Sequence, residues 1–334
     1  MRAGRIKIST REFKVVDYPV PIPSTGQVRI EVKAAGVCLS DVHLLDSTLS
    51  PGYLAGDEVT MGHEVAGVID QLGDGITNWA VGDRVIVCAG IRDERGRVRT
   101  QGFDFDGGFA QYMVADARTL VAIHDELSFE QACIIPDAVS TPWAAITQTA
   151  HMQPGQSSAV YGIGGLGIHA VQLLKILGSS PIIAVDPLLQ ARERALLVGA
   201  DVALDPKDSE FSKKLRAVTN GRGVDAAFDF AGVSAVRVQA LPLLAEQGRL
   251  VIIGIASEPI TIPDDMAFVY KRNQILGHYG SELHHTQELV ELVRSGKLDL
   301  SASISRILPL EEAGEALEQL RQKTKNPIRI VLKP

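Results

Sequence analysis

At 334 residues the chain exceeds the size at which a single hydrophobic core keeps growing, so two domains are expected. Hydrophobic residues make up 46% and charged residues 22%, an ordinary globular balance, and a formal net charge of −7 argues against nucleic acid or an anionic membrane as the main partner. The three cysteines form no disulfide framework, no apolar run is long enough to span a bilayer and no signal pattern is visible, so a cytoplasmic protein is expected.

Residues 1–150 read as mostly β with short turns. Val28, Ile30 and Val32 alternate with Arg29, Glu31 and Lys33, as a half-buried strand should. Further apolar runs occur at 65–72, 84–88, 110–114 and 120–123, and the polar, glycine-bearing stretch 93–106 reads as an exposed loop. The stretch 139–150 reads as a helix. From about 156 to 279 strands alternate with helices: strands at 159–161, 182–185, 226–230, 250–253 and 275–277, helices near 188–198, 210–219, 234–245 and 263–271. That alternation predicts a parallel, doubly wound α/β sheet covered on both faces. Two amphipathic helices, 286–295 and 310–323, and a last strand at 328–332 complete the chain.

The most informative stretch runs from Ser158 to Asp186. An apolar run leads into Gly162-Ile-Gly164-Gly165-Leu166-Gly167, an amphipathic segment follows, and a second apolar run ends on Asp186. This is the strand, glycine turn, helix and strand of a dinucleotide-binding fingerprint. Gly162 permits the tight turn, Gly164 lets backbone amides approach a pyrophosphate, and Gly167 lets the helix pack close to the sheet. The helix N-terminus offers unpaired N–H groups to phosphate. Asp186 stands 19 residues beyond Gly167, where a carboxylate accepts from an adenosine ribose and repels a 2′-phosphate. NAD(H) rather than NADP(H) is expected.

Three stretches in the first part carry more chemistry than a β-rich fold requires: Gly36-Val-Cys38-Leu-Ser40-Asp41-Val-His43, Gly62-His63-Glu64, and Pro136-Asp137 through Thr141-Pro-Trp143. Thiolate, imidazole and carboxylate are the mixture that a catalytic zinc takes when one position stays open for substrate. Each residue also has a plainer reading. Asp137 would serve as a helix N-cap ahead of 139–150, and His43 as a surface histidine. Cys88 and Cys133 read as buried core residues.

With these motifs the chain resembles the medium-chain dehydrogenase/reductase superfamily and, within it, the zinc-dependent alcohol dehydrogenases. The resemblance spans essentially the full length, through GVCLSDVH, GHEVAG, the GDRV turn, GGFAQY, GIGGLG and the closing PIRIVL. It implies a GroES-like catalytic domain formed by 1–150 and 283–334, a Rossmann domain at 151–282, and an active site in the cleft. It also implies Cys38, His63 and Asp137 as zinc ligands, with Glu64 just behind the metal. Asp41 would orient the histidine ligand, and Ser40 and His43 would relay the alcohol proton to solvent. By the same resemblance Thr141 packs on the nicotinamide, the backbone of Gly254 and Ile255 lies beside it, and Arg329 reaches the pyrophosphate.

Two departures from the family pattern stand out. Cys88 is the one cysteine in 88–108, so the second, structural zinc of many relatives is not expected. Leu39 occupies a place where some relatives put a phosphate-binding arginine. The expected reaction is reversible hydride transfer between NAD(H) and an alcohol/carbonyl pair, in a homodimer or homotetramer. The aspartate at 137 resembles a secondary-alcohol subgroup, and Ala89 implies a roomy substrate pocket. A polyol or other biosynthetic dehydrogenase, a zinc-free enone or quinone reductase, and a non-catalytic NAD-binding protein remain as alternatives.

Overall fold

The structure is a computed structural model that describes residues 1–322 and 327–334. Backbone contacts divide the chain into two units, Met1–Ser140 with Gly280–Pro334, and Thr141–Tyr279.

The first unit is built on a seven-stranded sheet whose spine is Gln27–Val37. Its alternating half explains the alternation of its sequence: Val28, Ile30 and Val32 are buried while Arg29, Glu31 and Lys33 are half-exposed. From Ala34 to Val37 every residue is buried, because here the strand lies between Glu64–Leu72 and Arg329–Lys333. The register pairs Gly36 with Glu64 and Val37 with Ile330. Cys38, His63 and Arg329 therefore all stand at one end of three adjacent strands. Ile30, Val65, Val85, Met113 and Ile330 belong to the core beneath.

Asp137 arrives from a helical stretch that begins earlier than expected. Ser128 caps Phe129–Cys133, its Oγ accepting from the Gln131 N–H at 3.3 Å. Wider, π-type turns at Ile135–Val139 and Ala145–Thr149 then flank an α-helical turn at Ser140–Ala144. Asp137 thus lies inside the helical run, in a π-type turn of the kind that recurs at functional sites.

The stretch expected to be an exposed loop, 93–106, is partly a hairpin, Gly90–Arg92 against Val98–Thr100, and Gln101, Phe103 and Asp104 are buried. Its polar residues bond inward. Asp93 accepts from the Arg95 and Arg97 N–H groups, Asp104 from Tyr53 and Thr100, and Asp106 from Thr60 and the Arg5 guanidinium. Carboxylates on backbone amides close this lobe.

The second unit carries a six-stranded parallel sheet in the order Val202–Leu204, Ile182–Val185, Ser158–Tyr161, Val224–Asp229, Leu244–Ile252, Gln274–Gly277. Numbered along the chain this is 3-2-1-4-5-6, the doubly wound dinucleotide-binding order, with its reversal between Ser158–Tyr161 and Val224–Asp229. The short edge strand Val202–Leu204 is not among the expected strands: its apolar run is only three residues long, half-buried and closed by an aspartate at each end. The helix expected over 234–245 ends at Ala240, where Pro242 breaks it, and the next strand begins at Leu244. In the first unit a strand at Ile304–Pro309 adds to the sheet, and the last expected helix is Ala313–Arg321 after a tight turn at Leu310–Glu312; the expected end at Lys323 lies outside the described residues.

Candidate active site

The strand ends of the first unit bring Cys38, His63, Glu64 and Asp137 together, with ligand atoms all within 4.8 Å of one another. Cys38 Sγ lies 3.3 Å and His63 Nε2 3.5 Å from Asp137 Oδ2. A tetrahedral ion with bonds of about 2.0–2.3 Å needs ligand–ligand edges of roughly 3.3–3.8 Å. The donor set fits zinc in chemistry and in spacing.

Asp41 organises two of the four. Its Oδ2 accepts from the Cys38 N–H at 2.9 Å, and its Oδ1 stands 3.4 Å from His63 Nδ1. The short helix Leu39–Leu45 presents it, and it is completely buried. A carboxylate on Nδ1 leaves Nε2 as the coordinating atom. Burial by itself would lower the His63 pKa, but the Asp41 carboxylate, with Asp137 and Cys38 beside the ring, holds it well above the ordinary value. A proton on that ring answers the same acidic groups that a cation would.

Glu64 is fully buried, with Oε1 accepting from Arg329 Nη2 at 2.7 Å. Burial pushes its carboxyl up to about 8 against the pull of Arg329. Its other oxygen lies over the α-carbon of Gly36, where an added Cβ would stand 2.0 Å away. The Arg329 guanidinium also lies 3.8 Å from Cys38 Sγ and 3.7 Å from Asp137 Oδ2. The residue that the resemblance assigns to pyrophosphate is 3% exposed and has partners the sequence did not name. Ser40 Oγ is 3.6 Å from Cys38 Sγ, and half-buried His43 stands 3.8 Å from Asp46. Cys88 and Cys133 are free and buried, and burial raises both thiols.

In the second unit the glycine turn has the expected geometry. Gly162 has φ +87°, and a Cβ there would meet the Ala231 backbone at 2.8 Å. A Cβ on Gly167 would stand 1.9 Å from the Gly162 carbonyl, so helix Gly167–Leu177 approaches the turn as only glycine permits. Around Gly164 there is open space, as a ligand needs. The Gly164, Gly165 and Leu166 carbonyls accept from the helix's first turn, from Ile168, the His169 ring and Ala170. Asp186 accepts from the Ile163 and Leu188 N–H groups at 2.8 Å, so the acid also shapes the turn. Thr141 is buried, its carbonyl accepting from His278 Nε2 at 3.0 Å. Gly254 donates to the Asp229 carbonyl at 2.7 Å, and Ile255 is exposed.

Comparison with known proteins gives the lineage. Residues 24–125 match the alcohol dehydrogenase GroES-like domain and 165–295 the zinc-binding dehydrogenase domain. An alcohol dehydrogenase of Geobacillus stearothermophilus is 31% identical across 100% of this chain and 99% of its own. The chain belongs to the zinc-binding medium-chain dehydrogenase family. A sorbitol dehydrogenase of Bacillus subtilis strain 168 is 29% identical over 98% of this chain and 95% of its own. The structure of 2R,3R-butanediol dehydrogenase from Bacillus subtilis superposes with TM-score 0.90 at 26% identity, covering 100% of this chain and 99% of that one.

Membership makes this an NAD(H)-binding oxidoreductase with a GroES-like and a Rossmann domain. The four-residue cluster is the single group of potential metal ligands among the described residues, so the family's structural zinc cluster is missing. Two contacts of the site are not legible in the sequence. Gly36 belongs to the GVC motif, but its task depends on facing Glu64 across the sheet. Arg329 belongs to the closing PIRIVL, which the resemblance ties to the pyrophosphate, and its bond to Glu64 depends on the register of three strands.

Proposed function

We propose that this protein is a zinc-dependent, NAD(H)-linked dehydrogenase acting on a secondary alcohol and its ketone. The convergence of Cys38, His63 and Asp137 at tetrahedral spacing carries this reading. A zinc-free enone or quinone reductase has no use for such a cluster. Thiolate, carboxylate and neutral imidazole balance a divalent cation, and the harder oxygen ligand leaves the metal more electron-poor than two thiolates would.

When bound, zinc supplies a Lewis acid that lowers the pKa of the substrate hydroxyl, and NAD accepts the hydride. The chain's residues do the rest. Asp41 fixes the Cys38 backbone and the His63 ring. Glu64, held by Arg329, stands behind the donors. Ser40, beside Cys38, accepts the hydroxyl proton while passing its own on toward half-buried His43, which releases a proton to water. In the second unit Gly162–Gly167 holds the pyrophosphate, Asp186 selects NAD through the ribose hydroxyls, and Thr141, Gly254 and Ile255 bear on the nicotinamide. A further role for Arg329 at the pyrophosphate belongs to this reading too.

Asp137 and the small Ala89 support a secondary alcohol with some bulk, and the butanediol dehydrogenase is a relative of matching chemistry. The sorbitol dehydrogenase keeps a polyol reading alive. A panel of secondary alcohols, ketones, polyols and threonine, assayed with NAD(H) and with NADP(H), with and without a chelator, separates them. Expected are about one zinc per chain, a preference for NAD(H), best turnover on a secondary alcohol, and loss of activity with chelator. Purified active protein free of zinc would sink the proposal. A homodimer or homotetramer in the cytoplasm completes the reading.

A further inference from the structure

Two aspartates occupy equivalent places in the two halves of the parallel sheet. Asp186 follows Ile182–Val185 and accepts from the Ile163 N–H of the glycine turn and from the Leu188 N–H of its own loop. Asp229 ends Val224–Asp229, and its Oδ1 accepts from the Ala231 and Gly232 N–H groups, both at 3.0 Å. The second carboxylate is closed by a guanidinium. Arg237 Nε donates to Asp229 Oδ2 at 2.7 Å, and its Nη2 donates to the Gly254 carbonyl at 2.7 Å. Asp229 is 0% and Arg237 3% exposed, so the pair is sealed beneath the surface.

The backbone it ties together is closely packed. Ile253 and Gly254 both donate to the Asp229 carbonyl, at 3.0 and 2.7 Å. A Cβ on Gly254 would stand 2.2 Å from the Gly232 nitrogen, and one on Gly232 2.5 Å from the Ile255 carbonyl. Segments 230–232 and 253–255 therefore form one floor, with Arg237 spanning its underside.

The strand order decides what that floor faces. A dinucleotide lies across the carboxyl ends of the strands where the order reverses. Here the glycine turn takes the pyrophosphate and Asp186 marks the adenosine side, over Ile182–Val185. The nicotinamide ribonucleotide must fall beyond the reversal, over the ends of Val224–Asp229 and Leu244–Ile252. We propose that Asp229 and Arg237 are positioning residues for the nicotinamide half of the cofactor. Neither reaches the ligand; together they fix the backbone on which its ring and ribose rest. The inference builds on the NAD reading above, and deepens it.

Two variants test it. Arg237→Lys keeps the charge but lacks the planar fork that spans Asp229 and Gly254. The double variant Asp229→Asn/Arg237→Met removes both charges, so neither is left buried alone. Each folded variant and the wild type are titrated with ADP, which lacks the nicotinamide half, and with NADH, using the nicotinamide fluorescence as a second signal. Expected is ADP affinity within about twofold of wild type, with NADH at least about tenfold weaker in the double variant and weakened by a smaller factor in Arg237→Lys. A pair that merely stabilised the fold would shift both ligands by one factor, and that result overturns the proposal, as does unchanged NADH affinity. Should the double variant not fold, Arg237→Lys decides by the same ratio. A wild-type protein that binds neither ADP nor NADH refutes the dinucleotide reading itself, and this inference with it.

Discussion

Glu64 owes its position to a side chain that is missing. With Gly36 opposite it across the strands, one carboxylate oxygen fits over the bare α-carbon while Arg329 holds the other. In Gly36→Ala the carboxylate must leave that recess, and the donors it can move toward are Cys38, His63 and Asp137. Cobalt-substituted protein reports this directly: the variant is expected to retain metal but to show weaker visible bands, as a four-coordinate ion gains a fifth ligand. An unchanged spectrum would mean that Gly36 does not set the position of Glu64. The donors themselves were legible in the sequence because zinc chemistry demands particular side chains in short motifs. Gly36 and the Glu64–Arg329 pair were not, since residues 265 positions apart meet only through strand register.

Among the elements, Ser158–Tyr161 carries a cost at its last residue. The Tyr161 ring packs edge-on to Phe211 in the core, while its hydroxyl is buried without a hydrogen-bond partner among the described residues. Burial accordingly raises its pKa. Tyr161→Phe removes an unsatisfied polar atom and little volume, so a stabilisation of about 1 kcal/mol is expected in denaturant unfolding. A loss of stability would show that a water or cofactor group satisfies the hydroxyl. Buried strands and amphipathic helices of this unit were readable because their periodicities are strong. The edge strand Val202–Leu204, three residues long and half-buried, is too short for a periodicity to mark it. The helix expected to reach 245 failed at Pro242, where chain-breaking outweighed an apolar pattern that served the next strand instead.

At the scale of the whole molecule the two chemistries are housed apart. Every metal donor lies in Met1–Ser140, and the glycine turn, Asp186 and the Asp229–Arg237 pair all lie in Thr141–Tyr279. Chelator-stripped protein is therefore expected to bind NADH within about threefold of the metal-loaded affinity while losing turnover. Joint loss of both would mean that metal binding organises the dinucleotide site. The two-domain plan was legible from the change of pattern along the chain. The domain limit drawn at 150 differs from the contact division at 140, because the helical run that ends at Thr149 crosses residue 140 without a break in sequence character.

The lobe over 90–106 fastens itself with Asp93, Asp104 and Asp106, groups the chain brings with it. Its shape waits on no supply from outside. A chain made without zinc is thus expected to finish this lobe as it would with the metal supplied.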